Sequence, residues 1–123
     1  MWQPISRRQH GLADYTYVPA VFAAPRLAGF AGDARPARLA RAFSVAVLAS
    51  ALCTRAEWGA FKLVPFRAHL ALDAASGVLA FAAPWALGFA GDRRARNTFL
   101  ALGVIGVVAA LLTRPEEMPR GRR

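Results

Sequence analysis

The chain alternates long apolar runs with short polar, glycine-bearing segments, and the whole pattern occurs twice. Positions 74–91 carry no charged side chain over 18 residues, and positions 97–113 carry none over 17. At 1.5 Å rise per residue such runs make helices of roughly 25–27 Å, close to the roughly 30 Å hydrocarbon core of a bilayer. Earlier in the chain, 15–25 and 42–54 are uncharged for 11 and 13 residues, each too short alone for a spanning segment. Sliding the sequence along itself by 59 positions resolves them: 8–57 aligns with 67–116, 20 of the 50 positions are identical, and only five of those identities are alanine. His10, Asp14, Pro25, Gly29, Phe30, Asp33, Thr54 and Glu57 recur as His69, Asp73, Pro84, Gly88, Phe89, Asp92, Thr113 and Glu116. Self-similarity at a fixed offset marks one structural unit used twice, so the weaker runs take their assignment from the stronger ones. The pattern predicts helices over about 9–27, 37–54, 67–87 and 96–113. It is read as an all-α, four-helix transmembrane bundle made of two tandem parallel two-helix repeats, 8–57 and 67–116, with a basic tail at 117–123.

The segments between the helices carry the matching turn chemistry. Positions 29–36 and 88–94 hold paired glycines, an aspartate and cations, which suits a short helix–helix link opening a new N-terminus. Between the repeats, Trp58, Phe61, Lys62, Pro65 and Phe66 make a mixed aromatic and basic segment that fits either the membrane surface or an ordinary loop. Pro25 and Pro84 fall near the far ends of the first and third helices, where proline kinks or stops a helix, and Trp85 is placed as a head-group anchor. Arg26, Arg38 and Arg41 fall near helix ends, where long stems let the guanidinium reach water. Gly77, Gly103 and Gly106 offer small faces for close helix approach. Cys53 is the only cysteine, which excludes an intrachain disulfide and marks it as a small buried hydrophobe. The stretch 114–123, with two prolines and four arginines, has no apolar stripe and is expected to be disordered and solvated.

Composition agrees with an apolar solvent: 56% of residues are hydrophobic and the mean hydropathy is +0.31. The charge, 16 Lys+Arg against 7 Asp+Glu, would on its own fit a nucleic-acid partner. Its distribution argues otherwise, because nothing in 74–91 can contact phosphate. The expected partners are the lipid bilayer and either further copies of the chain or another membrane protein, with no nucleic acid. A two-helix repeat returns the chain to its starting side, so both repeats enter in the same sense and both His-Asp pairs share one face. That face carries nine cations against seven on the other, which places both termini in the cytoplasm by the positive-inside rule. Arg7-Arg8 ahead of an apolar run resembles a signal peptide, but the run's partner in the second repeat cannot be one, so the first helix is read as retained.

His-x-x-x-Asp followed by Ala24-Pro25-Arg26 in one copy and Ala83-Pro84-Trp85 in the other, each leading to Gly-Phe-Ala-Gly-Asp, resembles the SPW-repeat membrane proteins of bacteria and archaea. The resemblance covers nearly the whole chain. It implies two transmembrane helices per repeat, with the Ser-Pro-Trp motif in the first, and a multi-pass protein of the cell membrane. In this chain alanine replaces the serine in both copies, and Arg26 stands where Trp85 stands in the second copy. The resemblance implies topology and no particular chemistry.

The chemistry-bearing candidates are the two His-x-x-x-Asp motifs. Residues four apart share a helix face, so His10 reaches Asp14 and His69 reaches Asp73, each pair satisfied within itself near the water interface. Parallel repeats can also bring all four side chains to one end of the bundle. Three readings follow: a hydrogen-bonded lock between repeats, a proton or ion pathway, or a metal site. No phosphate loop, Cys-x-x-Cys or nucleophile elbow is present, so no catalytic residue, cofactor or enzymatic activity is expected. The expected role is that of a structural or accessory membrane component, with the pathway or the metal site as the alternative.

Overall fold

The computed structural model describes residues 2–119. Among them are four helices, α1 Arg7–Leu27, α2 Ala34–Cys53, α3 Phe66–Ala86 and α4 Arg93–Leu112, and no strand beyond two isolated bridges. Each helix starts one to three residues earlier than the hydropathy pattern places it. Local capping explains this for α1 and α4. Ser6 and Gln9 form a reciprocal capping box at α1, and Asp92 accepts from the Ala95 amide at α4. The first turn of α4 absorbs Arg93 and Arg94, and that of α2, which Asp33 does not cap with its side chain, absorbs Arg35 and Pro36, all of which as sequence read as linker. By length and composition α2 and α4 are apolar enough to cross a membrane. This differs from the ranking of the bare runs, in which 74–91 is the longest. Helix α3 takes in Arg67, His69 and Asp73, which dilute that run, whereas Ala34, Ala37, Leu39 and Ala40 extend the apolar stretch of α2.

The helices pack mainly as hairpins, α1 on α2 and α3 on α4, with narrower contacts between α1 and α4 and between α2 and α3. Both hairpin links are built alike. Gly29 and Gly88 adopt φ of +84° and +76°, conformations that cost an L side chain energy and that glycine reaches freely. Phe30 and Phe89 then donate their amides back to the Pro25 and Pro84 carbonyls, both at 2.8 Å. This is a Schellman closure. Both prolines sit in the last turn, so they end their helices without breaking them, as their positions in the sequence predict. Phe30 and Phe89 turn inward onto Phe99, Ala40, Ala80, Ala83 and Ala95 and seal that end of the core. Across the same end, Arg35 donates to the Leu87 carbonyl and Arg94 to that of Gly29, so each link is tied to the other.

At the opposite end both chain ends and the central loop come together. Ile5 bridges Thr113, and Val64 bridges Thr54, at positions 59 apart in both members. The loop between α2 and α3 folds back on α2, with the Ala60 and Phe61 amides on the Leu52 carbonyl and the Leu63 and Val64 amides on that of Cys53. Arg7 pairs with Glu57 at 2.6 Å, and this hydrogen bond holds the Glu57 carboxyl below the usual carboxylate range. The expected solvated tail is corrected in part. Glu117 caps α3 by accepting the Phe66 and Arg67 amides at 2.7 and 3.1 Å, because Pro65 at the N-cap position offers no side-chain acceptor. Arg114 donates its amide to Ile5, and Arg67 reaches the Pro115 carbonyl. Residues 120–123 of the basic tail lie outside the described residues. Cys53 is half-buried rather than buried, since it lies on the last turn of α2.

Gly77 and Gly103 set the closest approach of α3 and α4, as their small size predicts. A methyl group on Gly103 would come 2.5 Å from the Gly77 carbonyl oxygen, whereas one on Gly32 would meet nothing within 4 Å. Replacing Gly103 with leucine is expected to cost at least the roughly 1–3 kcal/mol of an overpacked core, read as a lower thermal midpoint in detergent. Gly32→Ala is the neutral control. Equal midpoints for the two variants would show that α3 and α4 do not meet there.

Candidate functional site

Helices α1 and α3 each carry histidine and aspartate one turn apart, and the bundle turns both pairs inward at the end where α2 and α4 finish. His10 and His69 are 2% and 1% exposed, and their imidazole centroids lie 5.3 Å apart, edge to face. The Asp14 and Asp73 side chains keep 13% and 15% exposure. The expectation that water remains at these pairs is therefore corrected for the imidazoles. Phe66 stacks on His69 with ring centroids 6.0 Å apart and meets His10 edge-on at 5.8 Å, which covers both rings.

All four side chains meet, but the pairing is crossed. His10 Nε2 lies 2.8 Å from Asp73 Oδ2 and 3.5 Å from Asp14 Oδ2. His69 Nε2 lies 2.9 Å from Asp14 Oδ2 and 3.2 Å from Asp73 Oδ2. The expectation that each His-x-x-x-Asp pair satisfies itself is thus corrected: the shorter contacts run between repeats. Helical spacing puts histidine and aspartate on one face but stacks them along the axis, so the neighbouring helix offers the better aligned partner.

The outer nitrogens are held as firmly. His10 Nδ1 is 2.8 Å from Thr113 Oγ1, and His69 Nδ1 is 2.9 Å from Thr54 Oγ1 and 3.0 Å from Ser50 Oγ. Each threonine hydroxyl donates its one proton down its own helix, Thr113 to the Ala109 carbonyl and Thr54 to that of Ser50, both at 2.6 Å. A hydroxyl so committed can only accept from the imidazole. Both Nδ1 atoms therefore carry hydrogen, and both Nε2 atoms face the carboxylates. Thr54 and Thr113 stand in the sequence as matched identities, yet no spacing rule links them to His69 and His10, which lie 15 and 103 positions away.

The remaining motif positions do not join this centre. Pro25 and Pro84 are buried in the last turns of α1 and α3 at the opposite end, Arg26 lies in the last turn of α1, and Trp85 is exposed on α3. Beside the quartet a cavity of about 320 Å³, lined mostly by apolar side chains, reaches His10, Asp14 and Asp73 together with Tyr17 and Ser76.

The crossed arrangement makes a quantitative demand. In double-mutant cycles on thermal stability in detergent, coupling of His10 with Asp73 and of His69 with Asp14 is expected to exceed the coupling within each motif. Single removals are expected to cost about 3–5 kcal/mol, because they strand a buried partner. Stronger coupling within the motifs would refute the exchange.

A profile of the SPW repeat domain matches residues 8–113, a span that includes the whole quartet, both threonines and both Ala-Pro motifs. Curated proteins and solved structures give no match. With the profile covering most of its length, the chain belongs to the SPW repeat family.

Proposed function

We propose that the chain is a four-pass membrane protein of two tandem parallel hairpins, with termini and central loop on the cytoplasmic side, and that it acts as a structural or accessory component of the cell membrane. The distribution of side-chain size carries this reading. Between the phenylalanines at its two ends the core is rich in small residues, with Ala40 and Ala95 fully buried and Ala37, Ala80 and Ser44 nearly so. Many large apolar residues point outward: Phe22 on α1, Val45 on α2, Val78 and Leu79 on α3, Val104, Ile105, Val108 and Leu111 on α4. A water-soluble protein hides its large apolar side chains, whereas helices in lipid gain nothing from hiding them and pack through small residues. The same outward faces are where a second copy or another membrane protein would sit.

The quartet supports a structural role within that frame, since it ties α1 to α3 where the direct helix contacts are narrow. A pathway through the bundle needs relay groups along its length. The far half of the core is Phe30, Phe89, Phe99 and alanine, which supply none. No catalytic role is assigned to any residue.

The test combines fractionation with sidedness. The tagged protein is expected to stay with membranes through carbonate washing and to need detergent for release. On a Cys53→Ser background, Ala31→Cys and Ala60→Cys are expected to react with an impermeant maleimide from opposite sides, Ala31→Cys from outside and Ala60→Cys only after permeabilisation. Labelling of both from one side, or a compact monomer that stays dissolved without detergent, would overturn the four-pass reading.

A further inference from the structure

One ligand atom from each quartet residue lies within 4.8 Å of the other three, and the nitrogen–oxygen contacts among them are made by the two Nε2 and the two Oδ2 atoms. We infer that His10, Asp14, His69 and Asp73 form a four-coordinate site for one divalent transition-metal ion of the zinc class. The inference rests on the reading of the quartet as the clamp between repeats and names what completes it.

Three features point to an ion. The first is spacing. The four nitrogen–oxygen contacts measure 2.8, 2.9, 3.2 and 3.5 Å. A tetrahedron with metal–ligand bonds of about 2.0–2.1 Å has six edges of about 3.3–3.4 Å; these four contacts lie within about 0.6 Å of that length, and the nitrogen–nitrogen and oxygen–oxygen edges stay within 4.8 Å.

The second feature is how the carboxylates are used. Each aspartate presents the same oxygen, Oδ2, to both imidazoles. Hydrogen bonds alone need only the two crossed contacts, His10 to Asp73 and His69 to Asp14, one for each Nε2 proton; the same two oxygens also lie 3.2 and 3.5 Å from the other imidazole, an approach those two hydrogen bonds do not require. Convergence of one atom per residue on a common centre is the demand of a coordinated ion.

The third is the orientation of the imidazoles. Thr113 and Thr54 accept from Nδ1, which turns both Nε2 atoms to the centre; without an ion each Nε2 holds the proton it donates at 2.8 or 2.9 Å, and a bound ion takes the place of those two protons. The bond from Nδ1 is the outer-shell hydrogen bond that fixes tautomer and ring plane in histidine metal sites. Charge is conserved in this exchange, since two carboxylates and two neutral imidazoles sum to −2 and one divalent ion replaces the two protons that otherwise neutralise the centre. The donor set of two nitrogens and two oxygens suits zinc without requiring a redox change. The adjoining cavity, which touches three of the four ligands, is the route of entry.

The test uses the full chain in detergent, stripped with a chelator and then titrated separately with Zn²⁺ and Co²⁺. One ion per chain is expected, with the intense visible bands of four-coordinate cobalt and a raised thermal midpoint. His10→Ala with His69→Ala is expected to abolish binding. Thr54→Val with Thr113→Val is expected to keep the stoichiometry while weakening affinity about 10- to 100-fold, an effect a purely structural threonine would not have. A folded wild-type chain that takes up neither ion overturns the inference, as does uptake that survives loss of both histidines. Either result leaves fractionation and coupling across the repeats unchanged, so the metal reading and the clamp fail separately.

Discussion

Everything at the terminal end of this bundle depends on placing two histidines and two aspartates out of water without leaving any of them unpartnered. Removing ionisable groups from water costs several kcal/mol each, and the cost is offset only when geometry and hydrogen bonding are both satisfied. Here each imidazole has a carboxylate on one nitrogen and a hydroxyl on the other, and each hydroxyl is anchored to its own helix. The consequence reaches all four helices, because α1 and α3 supply histidine and aspartate while the ends of α2 and α4 supply threonine. A shift of one helix by a single turn would leave charged or polar groups facing apolar side chains.

The rest of the fold is arranged so that this centre can exist in a small protein. Alanine and glycine let backbones approach, with Gly77 against Gly103 as the tightest point, and this draws the four helices close enough for short polar side chains to meet. At the far end the Gly-Phe links fold two phenylalanines inward, so one end of the bundle closes on aromatic packing and the other on polar contacts. Glu117, Arg7 and Glu57 tie the flanking segments down over the polar end. Phe66 then lies directly on the imidazoles.

Helix number and order were legible in the sequence because uncharged runs and a fixed offset are both one-dimensional signals. Helix starts were less so: Arg93 belongs to a first turn because Asp92 caps it, Arg35 does so without a side-chain cap from Asp33, and charge alone shows neither. The candidate site was legible as residues and not as connections. The spacing of His10 with Asp14 marks a shared helix face, but crossed pairing depends on how far apart α1 and α3 stand. That separation is set by alanines and glycines elsewhere. The hydroxyls of Thr54 and Thr113 were visible as repeated positions, yet their role follows from helix ends meeting in space. The ordering of Glu117 was hidden for a similar reason, since a charged tail reads as solvated until a helix start lacking its own cap is found beside it.

The claim at the centre is that the two repeats exchange partners in a quartet whose imidazoles are buried. Side-chain nitrogen NMR of isotopically labelled histidine in lipid bilayers reads it most directly. The account predicts a slowly exchanging proton on Nδ1 of both histidines, with correlations from the His10 ring to the Asp73 carboxyl carbon and from the His69 ring to that of Asp14. Ring protons exchanging freely with water, or correlations confined to His10 with Asp14 and His69 with Asp73, would contradict it.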